Sequence, residues 1–495
     1  LQCYRQAMTR ALMFQGTGSD VGKTVLVAGF CRLAANHGLK VRPFKPQNMS
    51  NNAAVADDGG EIGRAQWLQA LACRVPASVH MNPVLLKPQS ETGSQVVVQG
   101  KVFGHARGRD YQKLKPQLMA AVMDSFGRVA DGADLVLVEG AGSPAEINLR
   151  PGDIANMGFA TAAGVPVVLV GDIDRGGVIA SVVGTHTILP EDDRAMIAGY
   201  LINKFRGDVS LFDSGIAAIA GFTGWPCLGV VPWLKAAARL PAEDSVALER
   251  LVQGPARALK IVVPVLSRIA NFDDFDPFKA EPEVELVFVR PGQRLPDDAG
   301  LVIVPGSKST ISDLADFRRQ GWDADLKAHH RRGGRIIGIC GGYQMLGQSV
   351  RDPQGLEGGE TLAEGLGLLD IETEMAPEKT VRNTDARSAV YDVALSGYEI
   401  HLGVSQGADC MRPMTVIDGR PDGAVSSDGK VSGTYLHGLF DSDPYRAKLL
   451  AEFGIRGGET NFRLDVDRAL DDIADDLDRL VGFERLMDTS ALIGR

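Results

Sequence analysis

The sequence has little cysteine, and no apolar run in it approaches the length that spans a bilayer. Its six cysteines are scattered among 495 residues without the paired spacing that predicts a disulfide framework or a zinc site. Positive charge is not in excess either, since 62 acidic residues outnumber 52 basic ones and the net charge is −10. These absences argue against a secreted disulfide scaffold, a membrane protein and a nucleic-acid-binding protein. We therefore expect a protein of the reducing cytoplasm that has neither nucleic acid nor a membrane as its partner.

The length bounds the domain organisation. A chain of 495 residues exceeds one ordinary hydrophobic core and predicts about two to four domains. Residues 1–7 lack the apolar core of a signal peptide, and Met8 is the more natural start. An amphipathic tail helix is predicted by apolar residues at helical spacing, namely Leu470, Ile473, Leu477 and Leu480. The expected units are a first domain at 8–235, a linker at 236–257, a second domain at 258–447 and a helical tail at 448–495.

A glycine-rich loop lies near the start of the chain. The run Gly16-Thr-Gly-Ser-Asp-Val-Gly-Lys-Thr24 stands between an apolar strand at 11–15 and a helical run at 25–35. This order of strand, loop and helix is typical of a phosphate-binding loop. The spacing departs from the common pattern, because Gly16 lies six positions before Gly22. A chance Gly-Lys-Thr is the alternative, and the flanking strand and helix favour the loop.

The loop predicts the residues of a nucleotide site. The backbone N–H groups of Gly16, Thr17 and Gly22 can surround phosphates at the helix N-terminus. Lys23 can neutralise the β and γ phosphates, and the Thr24 hydroxyl can coordinate Mg²⁺. We therefore expect ATP and Mg²⁺ as cofactors.

Polar residues that end apolar strands predict the rest of this site, because ligands of parallel α/β sheets bind at the carboxyl ends of the strands. The strand at 134–138 runs into Glu139, which we expect to hold Mg²⁺. Asp172 and Asp174 follow the strand at 165–171, where they either contact phosphate or substrate or cap the next helix. Asn203 ends a further strand and is placed to contact the nucleotide base. Strands that alternate with helices predict a doubly wound parallel sheet.

An amide-rich segment, Pro46-Gln-Asn-Met-Ser-Asn-Asn52, follows the second predicted strand. Most asparagine-rich turns are solvated loops. At the carboxyl end of a parallel strand, however, such a segment can bind a ligand. Asn48, Asn51 and Asn52 are therefore candidate substrate contacts.

The second half is organised around Cys340, which ends an apolar strand at 335–339 and begins a helix. Gly338 before it and Gly341 after it permit a tight turn that exposes the sulfur, and the helix N-terminus favours a thiolate nucleophile. A buried, unreactive cysteine is the alternative. His437 ends a late strand and is the candidate partner, unless it is a satisfied histidine of the core.

These motifs resemble known families. The loop at 16–24 is similar to the variant phosphate loop of the dethiobiotin synthetase group, and the segments at 43–53, 138–149 and 171–177 resemble the cobyric acid synthase family of cobalamin biosynthesis. Cys340, the glycine turn at Gly306 and His437, in this order, resemble the class I glutamine amidotransferase domain. The implied fold is α/β, with two doubly wound domains: a P-loop NTPase-type parallel sheet followed by a flavodoxin-like amidotransferase domain.

The resemblance also implies a reaction. Cys340 and His437 hydrolyse glutamine, and the N–H groups of Gly306 and Gly341 stabilise the oxyanion. The released ammonia attacks an acyl phosphate made with ATP in the first domain. The implied substrate is the corrinoid adenosylcobyrinic acid a,c-diamide, amidated at its b, d, e and g carboxylates to adenosylcobyric acid. Cobyrinic acid a,c-diamide synthase is the nearest alternative, and a partitioning or switch ATPase is a distant one.

The third member of the Cys–His site stays open. Many class I amidotransferases carry glutamate two residues after the histidine, where this chain has Leu439. Asp441 and Glu399 are the candidates for its role. His401 either faces a ligand or supports the fold.

Overall fold

Two parallel α/β sheets form the framework of the computed structural model, which describes residues 9–89, 93–241, 257–357, 360–457 and 461–493. Most of the predicted linker at 236–257 lies outside these ranges. The strands of the first half are β1 (Arg10–Gly16), β2 (Val41–Phe44), β3 (Gln47–Met49), β4 (Ala53–Val55), β5 (Glu61–Gly63), β6 (Val84–Pro88), β7 (Gly93–Val98), β8 (Lys101–Arg107), β9 (Leu135–Glu139), β10 (Val167–Asp172), β11 (Ile197–Phe205) and β12 (Cys227–Pro232). Its helices are α1 (Lys23–Asn36), α2 (Arg64–Ala72), α3 (Gly108–Ala130), α4 (Met157–Ala163), α5 (Val178–Ile188), α6 (Glu191–Ala195) and α7 (Asp213–Thr223).

The first sheet has the order β12-β11-β10-β1-β9-β2, and neighbouring strands in this order are parallel. Strands β9 and β10 are buried along their whole length, as expected for strands with helices on both faces. Because β1 lies in the middle, its carboxyl end brings Gly16 close to the ends of β9 and β10. Glu139 and Asp172 are the last residues of those two strands.

The second half repeats this architecture. Its strands are β13 (Leu259–Pro264), β14 (Ile269–Ala270), β15 (Val284–Val289), β16 (Leu301–Val304), β17 (Gly306–Ser307), β18 (Arg335–Ile339), β19 (Ser349–Arg351), β20 (Leu362–Glu364), β21 (Glu372–Ser388), β22 (Ala394–Gln406), β23 (Thr415–Ile417), β24 (Arg420–Asp422), β25 (Ala424–Val425) and β26 (Val431–Thr434). Its helices are α8 (Thr310–Arg319), α9 (Trp322–Arg331), α10 (Gly341–Met345) and α11 (Asp443–Ala451). The central sheet has the order β15-β13-β16-β18-β26-β25, and all pairs except β25–β26 are parallel. The prediction of two α/β domains with parallel sheets is confirmed.

The two domains contact each other through β4 and β22. Ala53, Val55 and Leu85 of the first domain form a small apolar cluster with Tyr398 and Ile400 of the second. These residues bring the end of the amide-rich segment next to the long hairpin of β21 and β22. The interface therefore lies directly beside the histidine that pairs with Tyr398 across an antiparallel bridge, His437.

The tail crosses back to the first domain as α12 (Phe462–Leu480), α13 (Phe483–Thr489) and β27 (Ala491–Leu492). Helix α12 packs against α1, where a Cβ on Gly29 would lie 2.5 Å from Ile473 and 2.6 Å from Leu477. The fully buried Arg32 of α1 donates hydrogen bonds to Asp467 and Asp471, at 2.5 and 3.2 Å. Strand β27 pairs with the first residues of β1.

The proposed limit between residues 447 and 448 falls inside α11. Tyr445, Leu449 and Leu450 of this helix are buried in the core of the second domain. No helix among the described residues is long and apolar enough to cross a membrane.

Candidate active sites

Cys340 lies in a strained turn between β18 and α10. Its backbone has φ 51° and ψ −111°, a conformation that costs a residue with a side chain about 1–3 kcal/mol. The neighbouring glycines make the turn possible, because a Cβ on Gly338 would lie only 2.7 Å from backbone atoms of Tyr343. The predicted elbow is therefore present, and it directs the sulfur toward the carboxyl end of the second sheet.

His437 follows β26, the strand that pairs with β18. Its Nδ1 lies 2.7 Å from Oδ2 of Asp274, and the ring of Tyr398 stacks on it at 5.1 Å. Burial alone would lower the pKa of His437, but the Asp274 carboxylate and hydrogen bonding to Cys340 raise it to about 10. The imidazole is therefore protonated at neutral pH beside the Cys340 sulfur.

Asp274, and neither of the two candidates from the sequence, is the carboxylate that lies in hydrogen-bonding contact with His437. Its other oxygen accepts a hydrogen bond from the Gly438 N–H at 2.8 Å, which fixes the carboxylate. Glu399 instead pairs with Arg382 at 2.6 Å. Asp441 makes no described hydrogen bond to His437. The run Asn-Phe-Asp-Asp-Phe-Asp at 271–276 was a usable signal, because acids between buried aromatic residues need a partner.

A small cavity of about 50 Å³ adjoins the sulfur. Gly306 lines it together with Cys340 and His437, and a Cβ on Gly306 would lie 3.4 Å from the imidazole. Gly341 begins α10, where a Cβ would lie 2.8 Å from the Ser307 nitrogen. Both predicted oxyanion glycines thus lie beside the reacting groups, and their role stays a prediction.

His401 also lines this cavity. Its Nδ1 lies 2.9 Å from the Gly403 carbonyl, its Nε2 lies 3.3 Å from Glu399, and its ring stacks on Tyr435 at 3.9 Å. His401 was expected either to face a ligand or to support the fold. Its side chain is fixed within the fold and also faces the cavity, so the structure is compatible with both roles.

The phosphate-binding loop brings the predicted residues of the first site together. The Lys23 ammonium donates to the Gly142 carbonyl at 3.4 Å, and the Thr24 hydroxyl donates to Oε1 of Glu139 at 2.8 Å. A Cβ on Gly16 would lie 3.0 Å from the Lys23 Nζ, so the glycine leaves room for the lysine to cross the loop.

Two side chains that the sequence did not point to complete the surroundings of Glu139. Lys45 donates to Oε1 at 2.9 Å, and Gln69 donates to Oε2 at 2.5 Å. Lys45 stands in the segment at 43–53 that carries the family resemblance, and this was the available signal. The carboxylate is buried and forms an ion pair with Lys45 on one side.

The oxygens of Thr24 and Glu139 fit a magnesium ion. They lie 2.8 Å apart, close to the separation of neighbouring ligands in an octahedral shell with bonds of about 2.0–2.1 Å. An ion there would take over the charge neutralisation that Lys45 gives to Glu139.

Asn203 does not point into open space. Its Nδ2 donates to the Val21 carbonyl at 2.8 Å, so it fixes the phosphate loop. Asp172 accepts a hydrogen bond from Lys204 at 2.8 Å, and Asp174 pairs with Arg206 at 2.5 Å. Neither aspartate caps α5, whose cap position is Gly177.

The three asparagines of the amide-rich segment fall into two groups. Asn48 is buried and donates to Gln66 at 3.2 Å, so it supports the fold. Asn51 and Asn52 line a cavity of about 490 Å³ between the domains, together with Arg268. Asn51 and Asn52 thus face a cavity, Asn48 is held within the fold, and the substrate role of all three stays a prediction.

The comparisons with known proteins cover both halves. Residues 12–247 match the CobQ/CobB/MinD/ParA nucleotide binding domain, and residues 260–445 match the CobB/CobQ-like glutamine amidotransferase domain. Cobyric acid synthase of a Sinorhizobium species is 75% identical over 474 residues, which are 96% of this chain and 98% of that protein. Cobyric acid synthase of Sinorhizobium fredii is 76% identical over 471 residues, which are 95% and 97% of the two chains.

This chain belongs to the cobyric acid synthase family. The same identity of 75% is found with the enzyme of Rhizobium johnstonii, over 96% of this chain and 97% of the relative. The family resemblance of the sequence motifs is thereby confirmed. Relatives that match over 96% of this chain are cobyric acid synthases. The comparisons therefore support this interpretation over cobyrinic acid a,c-diamide synthase and over a partitioning or switch ATPase.

Proposed function

We propose that this chain amidates the b, d, e and g side-chain carboxylates of adenosylcobyrinic acid a,c-diamide with glutamine and ATP, giving adenosylcobyric acid in the cytoplasm. One observation carries the proposal. A chain that is 75% identical to cobyric acid synthases over 96% of its length contains both a Cys–His–Asp site and a phosphate-binding loop next to Glu139.

The second domain releases ammonia. Cys340 attacks the side-chain amide carbon of glutamine, and His437 donates its Nε2 proton to the departing nitrogen. Asp274 holds the Nδ1–H and stabilises the imidazolium. Water then cleaves the thioester while His437 takes a proton from it. The N–H groups of Gly306 and Gly341 stabilise the oxyanion of both steps, at about 3–4 kcal/mol per donor.

The first domain activates the carboxylate. Lys23 and the N–H groups of Gly16, Thr17 and Gly22 hold the phosphates while a corrinoid carboxylate takes the terminal phosphoryl group. Ammonia then attacks the acyl phosphate and phosphate leaves. Thr24 and Glu139 would hold Mg²⁺, which neutralises charge on the phosphates. Asn203 keeps the loop in shape.

The corrinoid has two candidate contact surfaces on the first domain. One is the cavity between the domains that Asn51 and Asn52 line. The other has about 270 Å³ and lies beside Gly142, whose carbonyl accepts the hydrogen bond of Lys23. A carboxylate in the second cavity would face the phosphate loop. Asp172 and Asp174 lie at the end of β10 and position Lys204 and Arg206 on the far side of the loop.

Separate nitrogen sources test the division of labour. We expect Cys340→Ala to lower glutamine-dependent amidation of the corrinoid by on the order of 10³-fold or more and to leave ammonia-dependent amidation intact. Lys23→Ala should lose the product with either source. Cys227→Ala, at a half-buried cysteine that begins the edge strand β12 of the first sheet, is the matched control. If Cys340→Ala also lost activity with free ammonia, the proposed roles of the two domains would be wrong.

A further inference from the structure

Two side chains of opposite charge, Lys308 and Glu357, line the cavity at Cys340. Neither has a role in the reaction steps proposed for glutamine hydrolysis. Lys308 is buried in the wall of the 50 Å³ cavity, two positions after Gly306. Its ammonium makes no hydrogen bond and no close ion pair with any residue that the structure describes. A buried ammonium without a partner is costly, and such groups are kept where a ligand supplies the missing charge.

Two neighbouring cations bind the carboxylate of Glu61, and no carboxylate among the described residues forms a close ion pair with Lys308. Lys87 of the first domain and Lys379 of β21 both pair with Glu61, Lys87 at 2.5 Å. Glu61 is therefore taken by two ammonium groups, and these also line the cavity. Burial and the charges of Lys379 and Lys87 lower the pKa of Lys308 to about 7, so an added anion would restore its full charge.

Glu357 faces the same cavity from another side. Its carboxylate accepts hydrogen bonds from the Thr310 hydroxyl at 3.2 Å and the Ile311 N–H at 3.4 Å. Burial raises its pKa to about 7, although Lys308 acts in the opposite direction. Glu357 also lines a larger cavity of about 890 Å³ between the domains. It therefore stands between a space wide enough for an amino acid and the small cavity at the sulfur.

We propose that Lys308 binds the α-carboxylate of glutamine and that Glu357 binds its α-ammonium group, so that the side-chain amide reaches Cys340. The inference rests on the proposed function, since it assigns substrate contacts for the same site. A zwitterion brings one negative and one positive charge, and each meets an opposite charge that lacks a close ionic partner. Glutamine enters from the larger cavity, passes Glu357 and displaces the side chains that now narrow the space at Cys340.

Two glutamine analogues test each contact separately. The compound 4-aminobutanamide lacks the α-carboxylate, and glutaramate lacks the α-ammonium group. Glutaminase activity is followed as ammonia release, without the corrinoid. The wild-type protein should prefer glutamine to either analogue in kcat/KM. Lys308→Met should lower kcat/KM for glutamine about 10–100-fold, mainly through KM, and should remove the preference over 4-aminobutanamide. Glu357→Gln should remove the preference over glutaramate.

The controls keep failure of folding apart from failure of the proposal. Lys327→Met changes an exposed lysine of α9 and should leave all ratios unchanged, and the ammonia-dependent amidation of each variant reports an intact first domain. Should Lys308→Met not fold, the wild-type ratios alone decide. The proposal is overturned if the wild-type protein accepts 4-aminobutanamide as well as glutamine, or if a folded Lys308→Met variant keeps the wild-type preference. Absence of corrinoid amidation by the wild-type protein would instead count against the proposed function.

Discussion

The nucleotide-binding loop and the Cys340 site differ in how their parts are spread along the chain. The loop draws its phosphate-facing groups from residues 16–24, and one strand and one helix place them. The Cys340 site joins Cys340, His437 and Asp274, which come from three elements far apart in sequence. The residues of the loop are positioned mainly by one strand and one helix. The residues of the Cys340 site are brought together only when the whole second domain is folded.

The two sites also differ in how their charges are held. Glu139 receives hydrogen bonds from Thr24, Lys45 and Gln69, so its charge is neutralised before any ligand binds. The positive charge of His437 depends mainly on one carboxylate, that of Asp274, with a smaller contribution from Cys340. We expect the Cys340 site to be far more sensitive to one substitution than the loop site is.

The largest expected effect is that of Asp274→Asn. Without the carboxylate, Nδ1–H is no longer fixed and the imidazolium loses its stabilising charge. Glutamine-dependent amidation should fall about 10²–10⁴-fold, whereas ammonia-dependent amidation should be unchanged. The two rates are measured side by side on one preparation.

Asp441→Asn is the matched control for this substitution, because Asp441 is a half-buried aspartate near Asp274 that makes no described hydrogen bond to His437. We expect it to lose less than about tenfold. An equal loss of glutamine-dependent amidation in both variants would show that the hydrogen bond between His437 and Asp274 is not needed for catalysis.

The second effect concerns the contact between the two domains. Arg64, the first residue of α2, pairs at 2.8 Å with Asp273, the neighbour of Asp274. Burial raises the pKa of Asp273 to about 7 even with Arg64 beside it. Arg64→Met should therefore leave a protonated, buried carboxyl and cost about 3–5 kcal/mol of stability, measured by urea unfolding.

Arg128→Met provides the comparison, since the exposed Arg128–Asp124 pair should contribute less than about 1 kcal/mol. Asp273→Asn in the Arg64→Met background should add little further cost. If Arg64→Met were as harmless as Arg128→Met, the interdomain pair would not hold the domains together.

The third effect is a pH dependence of stability, which is small over any one pH unit. The pKa of His437 is about 10 in the folded chain against an ordinary value of 6.5, so the folded state keeps a proton that the unfolded state releases between these values. The stability that the pair supplies is complete below pH 6.5 and is lost as the pH rises to 10. The wild-type advantage over Asp274→Asn should shrink by about 1 kcal/mol per pH unit between these limits.

Urea unfolding of both proteins at several pH values measures this slope. His437→Gln should show no such slope relative to Asp274→Asn, because neither variant retains the proton. A difference between wild type and Asp274→Asn that stays constant with pH would mean that His437 is neutral in the folded state.

The sequence was sufficient for the parts of the molecule that local pattern determines. The loop before Lys23, the acid at the end of β9 and the strained turn at Cys340 follow from strand, glycine and helix in a short stretch. Asp274 could not be assigned in this way, because its contact with His437 depends on how β14 and β26 are placed by the second sheet. Asn203 lies within β11, two residues before its end; its hydrogen bond to Val21 could not be foreseen from the sequence, and its contact with the base stays a prediction.

Lys45 of the first domain is a second residue whose side-chain partner could not be predicted from the sequence. It belongs to the segment that carried the resemblance, yet its charge could be assigned to Glu139 only once β2 and β9 were known to be neighbours. Side-chain partners across a sheet depend on strand order, and strand order is set by the packing of the whole domain.

The return of the tail to the first domain has a consequence for the order in which a ribosome completes this protein. Helix α1 and the first residues of β1 are made before the second domain, but α12 and β27, which cover them, are made after it. At typical rates of synthesis the two events are separated by on the order of tens of seconds. During that interval the apolar face around Gly29 has no cover from Ile473 and Leu477. The first domain is thus completed only after the second domain has been synthesised.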